Sequence, residues 1–275
     1  MKNGEGMYMV TKIISGKVVE RRKSRVMHRP AKRGGRIKGN SNERKIAGNR
    51  EYAVLQLARI FNCNMKAGDV WLTLTFSDEA LDRCGGTFEG AKAEAKKFVE
   101  RCVYRRRKKG VVTKWVIAPS EIDGETGELV RPHVHIIMSG EGFSFADGVL
   151  RLFNESVETI WGRGSVDVQF LRNQDDYYPL AKYIISQSRG VPDEKKYSCS
   201  RNMAKPVVHR EIVSSGAQLR LPHGATELPG TKYEPEKDQN ILRYIPRRKD
   251  PRRQVGGHKE MTLSRMGEEG DEDGL

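Results

Sequence analysis

One stretch, Arg131-Pro132-His133-Val134-His135-Ile136-Ile137-Met138, constrains the fold more than any other. Its β-branched and apolar residues predict a strand over His133–Met138, with Pro132 at the start, where a missing N–H is tolerated. Successive side chains of a strand point to opposite faces. His133 and His135 therefore project side by side, while Val134 and Ile136 enter the opposite layer. A chain carrying this strand needs a sheet with an apolar layer under one face and room for two imidazoles on the other. Two imidazoles so presented can bind one divalent cation. Two polar residues on a solvated sheet face satisfy the same pattern.

The preceding segment, Trp115-Val116-Ile117-Ala118-Pro119-Ser120-Glu121, also reads as strand, within a predicted strand that starts at Val111. The turn cluster Asp123–Gly127 then returns the chain into the histidine strand. Antiparallel neighbours lie about 4.8 Å apart, so Glu121 can complete a set of two histidines and one carboxylate. Such a set suits Mg²⁺ or Mn²⁺ assisting a phosphate, or a transition metal such as Zn²⁺. Glu121 as an ordinary turn carboxylate is the plainer alternative.

Downstream, Pro179–Ser188 is predicted helical, with Asp175 and Asp176 placed to complement its N-terminal dipole. Leu180 and Ile184 face the core together, and Tyr183 flanks that stripe by about 100°. A phenol there can project over the sheet, or pack at the core edge with its hydroxyl in water. Near a metal-bound phosphate, a tyrosine oxygen can attack phosphorus and form a covalent ester, and the ammonium of Lys182 can assist.

The remaining pattern predicts helices over 42–61 and Phe88–Lys108, the latter with Thr87 as N-cap, and a helix over Ala146–Trp161. Strands are predicted over Val70–Phe76 and Val166–Leu171. This order predicts an α+β fold with an antiparallel or mixed sheet. Residues 1–41 read as a basic flexible arm, 42–205 as the main domain, and 206–275 as a loop-rich extension with an acidic tail.

Lysine and arginine number 50 against 36 acidic residues, a net charge of +14. The excess is concentrated in the first 50 residues, while GEEGDEDGL at 267–275 is acidic. Arg21, Arg22, Lys23, Arg33, Arg36 and Lys38 form one basic stretch, and Arg105, Arg106, Arg107 and Lys108 a second at a helix end. With Arg131 they are candidate nucleic-acid contacts, since such clusters neutralise phosphates. Solvated helix-end charge is the alternative for the second cluster.

No run of about 18 apolar residues predicts a membrane span, and MKNGEGMYMV lacks the apolar region of a signal peptide. Cys63, Cys84, Cys102 and Cys199 form no CxxC pair, so neither a thiolate zinc site nor a disulfide framework is expected. There is no GxxxxGK[ST] loop, so no nucleotide cofactor and no attached P-loop helicase are expected.

Three ordered motifs resemble the HUH endonuclease superfamily, in its branch of rolling-circle replication initiators of small phages and plasmids. Leu72-Thr73-Leu74-Thr75-Phe76 resembles the first strand motif, Arg131-Pro132-His133-Val134-His135 the metal motif, and Ala181-Lys182-Tyr183-Ile184 the nucleophile helix. Weaker likeness to filamentous-phage replication-associated proteins extends over Trp161, Gly164–Val168 and Tyr197–Asn202. Ser186 stands where many relatives carry lysine. Tyr178, five residues before Tyr183, is a weaker second nucleophile candidate because that spacing does not stack on one helix face.

The resemblance implies a five-stranded antiparallel sheet flanked by helices, with His133, His135 and Glu121 holding Mg²⁺ or Mn²⁺. It implies attack by Tyr183 on single-stranded or extruded origin DNA, a 5′-phosphotyrosyl intermediate, and a free 3′-hydroxyl for rolling-circle replication. Host polymerase and helicase are the implied partners, and the cytoplasm of a bacterial host the implied location. Rival readings are a relaxase or single-strand transposase of the same superfamily, a non-enzymatic nucleic-acid-binding protein, and a metal phosphodiesterase that uses water.

Overall fold

A computed structural model of the chain describes residues 7–26, 43–188, 195–214, 218–234 and 239–247. Arg33, Arg36, Lys38 and the acidic stretch at 267–275 lie outside them. The elements run β1 (Tyr8–Ser15), β2 (Val18–Arg25), α1 (Glu43–Asn64), β3 (Val70–Leu74), α2 (Asp78–Arg83), α3 (Phe88–Lys108), β4 (Trp115–Ile122) and β5 (Leu129–Met138). They continue with β6 (Phe143–Ala146), β7 (Val149–Leu152), β8 (Glu155–Ser156), α4 (Val157–Trp161), β9 (Val166–Phe170) and α5 (Tyr178–Ser186). The last are β10 (Ser198–Cys199), β11 (Val207–Val213), β12 (Thr226–Glu227), β13 (Lys232–Glu234) and β14 (Gln239–Ile245).

The fold is α+β. Its central sheet has five strands in the order β10-β4-β5-β3-β9, every pair antiparallel. The period-two pattern sorts side chains between two cores. Leu72, Leu74, Val134, Ile136 and Met138 pack with Phe98 and Cys102 of α3 and with Trp161. On the opposite face Val116, Ala118 and Ile137 pack with Leu57 and Phe61 of α1 and with Ala181, Ile184 and Ile185 of α5. Thr87 caps α3 as expected, its Oγ1 accepting from the Gly90 N–H at 3.1 Å.

The helix expected over Ala146–Trp161 is not formed. Three short strands, β6, β7 and β8, take its place, and only α4 is helical. The cause is local backbone conformation. Asp147 and Gly148 both have positive φ, 52° and 74°, and join Ala146 to Val149 in a two-residue turn that suits a hairpin. Phe153, at φ 57°, helps turn the chain again between Leu152 and Glu155. The Asp-Gly pair outweighs the helical spacing of the apolar residues.

Residues 8–25 do not form a basic arm. They make a hairpin whose loop is Gly16-Lys17, and the far ends of the chain complete a second sheet, β11-β1-β2-β14-β12, with β13 also on β14. The region read as a loop-rich extension therefore contributes four strands. Val10, Ile13, Val18 and Val19 are buried while Lys12 and Arg25 are exposed, so the hairpin has an inner side that its basic composition hides. Gly16 has φ 56°, and a Cβ there would collide with the Asn62 carbonyl oxygen of α1.

Buried ion pairs tie this sheet to the helices. Arg59 of α1 meets Glu20 of β2 at 2.6 Å, and Arg243 of β14 meets Asp176, just before α5, at 2.9 Å. Breaking one member of such a pair costs about 3–5 kcal/mol, because the other charge is left buried.

Candidate active site

The site lies on the face of the central sheet covered by α1 and α5. In register, His135 of β5 stands between Thr73 of β3 and Ala118 of β4, and His133 opposite Ser120. The two imidazole rings are 5.1 Å apart and nearly perpendicular, at 87°. The expected side-by-side presentation is present.

His135 is only 3% exposed. The indole N–H of Trp71 donates to its Nδ1 at 3.2 Å, and Thr73 Oγ1 lies 3.2 Å from the same nitrogen. An indole can only donate, so Nδ1 is an acceptor and the ring proton sits on Nε2. That Nε2–H donates to Gln187 Oε1 at 2.7 Å. Burial pushes the His135 pKa down to about 4; the Gln187 bond acts the other way and the charge of His133 acts with burial. The ring is neutral at pH 7, as a ligand or hydrogen-bonding imidazole must be.

His133 is half-buried. Its Nδ1 is 3.0 Å from the Arg131 carbonyl oxygen, which can only accept. The proton is therefore on Nδ1, and the lone pair of Nε2 is available for a ligand. A backbone carbonyl behind a histidine is a common way to orient a metal-binding ring.

Tyr183 leaves α5 toward the same face and is 46% exposed. Its ring centroid is 5.9 Å from that of His135 and 5.4 Å from that of Trp71. Trp71 also meets His135 edge-on at 5.7 Å, so one indole touches both rings. Lys182 is exposed beside Tyr183.

Gln187, one turn past Tyr183, binds three groups. Besides His135, its backbone carbonyl accepts from the N–H groups of Glu121 at 2.9 Å and Ile122 at 3.1 Å. These residues flank the point where β4 shifts register against β5. Glu121 is buried in that irregularity. Its carboxylate does not join the histidines as a ready ligand trio: among the described residues no three His, Cys, Asp or Glu side chains are grouped to hold a metal ion. The oxygen at hydrogen-bonding distance from His135 Nε2 belongs to Gln187.

Ser186 is packed against the 123–127 turn, where a Cβ on Gly124 would collide with its Oγ, and its carbonyl accepts from the Arg50 guanidinium. Tyr178 is directed elsewhere. The Arg243 guanidinium lies 4.6 Å from its ring centroid, and burial raises its pKa.

The basic candidates divide by environment. Arg106 is fully buried, on the α3 face shared with Phe98 and Cys102, and donates to the Ser139 carbonyl and hydroxyl. It is a core residue, not a surface contact for phosphate. Arg105 pairs with Glu155 at 2.6 Å, while Arg107 and Lys108 are exposed. Arg131 pairs with Asp78 at 2.6 Å and donates to the Phe76 carbonyl. Arg22 binds Glu20, Arg21 approaches Glu211 at 3.8 Å, and Lys23 is buried against the Tyr8 ring at 4.5 Å.

Trp71, Thr73 and Gln187 were not among the residues expected here. The first two alternate with Leu72 and Leu74, so the strand period places them on the histidine face. Gln187 follows Tyr183 by four residues, the spacing of side chains on one helix face.

Residues 69–188 match the family model of replication-associated proteins of the ORF2 type. The match covers a little under half of the chain and takes in Trp71, both histidines, Tyr183 and Gln187. Over this span the chain is similar to a family of phage- and plasmid-type replication proteins. No curated protein and no solved structure matches the chain. No helix among the described residues is long and apolar enough to cross a membrane.

Proposed function

We propose that the protein is a replication-initiator endonuclease of the HUH type, which nicks single-stranded or extruded origin DNA through Tyr183 and later rejoins the strand. The observation that carries this reading is the approach of the Tyr183 ring to His135 at 5.9 Å, with His133 beside it, inside the span similar to replication-associated proteins.

The reading calls for Mg²⁺ or Mn²⁺, and the donor chemistry suits it. His133 offers a free Nε2 lone pair, and His135 is neutral. Gln187 Oε1 is the favoured oxygen because it already meets His135 Nε2, with buried Glu121 as the alternative. When bound, the ion would polarise the scissile phosphate and stabilise its developing charge. For His135 to offer Nε2, its proton must move to Nδ1, where the Thr73 hydroxyl is placed to accept it.

Tyr183 supplies the nucleophile. Its oxygen forms a bond to phosphorus as the bond from phosphorus to the 3′ oxygen breaks; the phenol loses its proton and the departing oxygen gains one. The products are a 5′-phosphotyrosyl adduct and a free 3′-hydroxyl, which a host polymerase extends with helicase support. Lys182 adds positive charge beside the phenol, and exposed Arg107 and Lys108 hold the backbone without reading sequence. This chemistry belongs in the cytoplasm of a bacterial host.

The test is incubation with Mn²⁺ and labelled single-stranded oligonucleotides, then denaturing electrophoresis and peptide mapping. The expected result is an adduct on Tyr183 that Tyr183→Phe abolishes while DNA binding persists. Cleavage without any adduct, or an adduct mapped to another residue, would overturn it.

A further inference from the structure

The second sheet and α1 enclose a cleft of about 410 Å³ that the candidate active site does not use. Arg22 and Arg210 project from its floor on either side of Thr11, which pairs with both. One strand separates them, so their backbones are about 10 Å apart. Arg59 lines the wall, but its charge is matched by Glu20. Glu20 binds Arg22 as well, so three arginines face one carboxylate and the cleft stays cationic.

Arg210 is exposed and has no ion pair among the described residues. Arg22 Nη2 and Asn240 Oδ1 are buried without a hydrogen-bond partner. Burying unpaired polar atoms is costly, and a ligand with both donors and acceptors would offset that cost. At the rim stands Tyr52 of α1, 52% exposed, with the Arg22 guanidinium 5.9 Å from its ring centroid.

We propose that this cleft binds single-stranded DNA, with Arg22 and Arg210 on phosphates and the Tyr52 ring as a stacking platform for a base. Cations that track a backbone beside an exposed aromatic are the combination that single strands require, because every base offers a π-face. A duplex offers the same phosphates but keeps its bases stacked inside, so it gains nothing from Tyr52. The cleft is also joined to the candidate active site. Arg50, two residues before Tyr52 on α1, reaches the Ser186 carbonyl at the end of the helix that carries Tyr183. A strand held here lies about one helix diameter, ~10 Å, from that helix. The choice of DNA as the ligand rests on the replication reading above, whereas the cationic and aromatic chemistry does not.

The test uses the full chain carrying Tyr183→Phe, in EDTA, so that binding is measured without chemistry. Fluorescence anisotropy is read with a labelled oligothymidine and with a labelled duplex of equal length. Tyr52→Ala should weaken single-strand binding about fivefold to a hundredfold, and Tyr52→Phe should restore it. The same Tyr52→Ala change should leave duplex binding unaltered. Arg210→Ala should reduce the dependence of log K on log salt by about 0.7 for the single strand; its exposed position makes loss of folding a small concern. Unchanged single-strand affinity in Tyr52→Ala with an unchanged slope in Arg210→Ala overturns the proposal, as does an equal loss on duplex. The two readings separate cleanly. If the wild-type chain forms no adduct but Tyr52→Ala weakens binding, the nicking reading fails and the cleft stands. If the adduct forms and Tyr52→Ala binds like its parent, only the cleft fails.

Discussion

The Nε2–H of His135 donates to Gln187 Oε1 at 2.7 Å, while the Gln187 carbonyl accepts from Glu121 and Ile122. One residue thus fastens the histidine strand, the irregular end of β4 and the tyrosine helix to each other. The position of Tyr183 over the histidines depends on this junction as much as on the packing of α5.

Gln187→Ala should therefore act on both stability and chemistry. It leaves a buried imidazole N–H without an acceptor, which costs about 1–3 kcal/mol and is measurable by urea unfolding. Adduct formation should fall about tenfold to a hundredfold, the usual loss when a group that supports a metal site is removed. Unchanged adduct formation would remove Gln187 from the site.

Glu20 governs acid stability. Burial works against its ionised form, but the hydrogen bond and charge of Arg59, with those of Arg22, outweigh burial and hold its pKa below the ordinary 4.5. A depressed folded pKa gives stability that is complete above the unfolded value and is lost as pH falls through the folded value. The contribution should begin to fade below pH 4.5. Glu20→Gln should cost about 3–5 kcal/mol at neutral pH, since Arg59 stays buried without its partner. It should also flatten the pH dependence of unfolding below that point, as followed by circular dichroism.

Arg106 and Arg107 are adjacent in sequence and should respond oppositely. Arg106→Ala empties a fully buried position and frees Ser139 from two hydrogen bonds, so a loss of about 2–5 kcal/mol in stability is expected. Arg107 is exposed; Arg107→Ala should change stability by less than about 0.5 kcal/mol and lower the salt dependence of single-strand binding by about 0.7. Chemical denaturation and salt titration of DNA binding separate the two.

The parts of the fold legible in the sequence are those whose patterns are local. The alternation in β5 placed His133 and His135 on one face, and the Thr87 cap placed the start of α3. The same helical phase that puts Phe98 and Cys102 in the core also buries Arg106, a signal available but obscured by the run of basic residues. At Asp147-Gly148 a turn pair competed with apolar spacing, and the turn prevailed. The second sheet was hidden because β1 and β2 find their outer neighbours, β11 and β14, far along the chain. The role of Gln187 depends on the register shift near Glu121, which no local pattern announces.

That remote pairing has a consequence for how the protein is made. The N-terminal hairpin leaves the ribosome first, yet the strands that cover its two edges are among the last to emerge. Until then it has open edges of the kind that invite pairing with other chains, whereas the strands of the central sheet from β3 to β9 and the tyrosine helix are already available to assemble. Synthesis therefore favours closing the candidate catalytic layer before the sheet that borders the basic cleft.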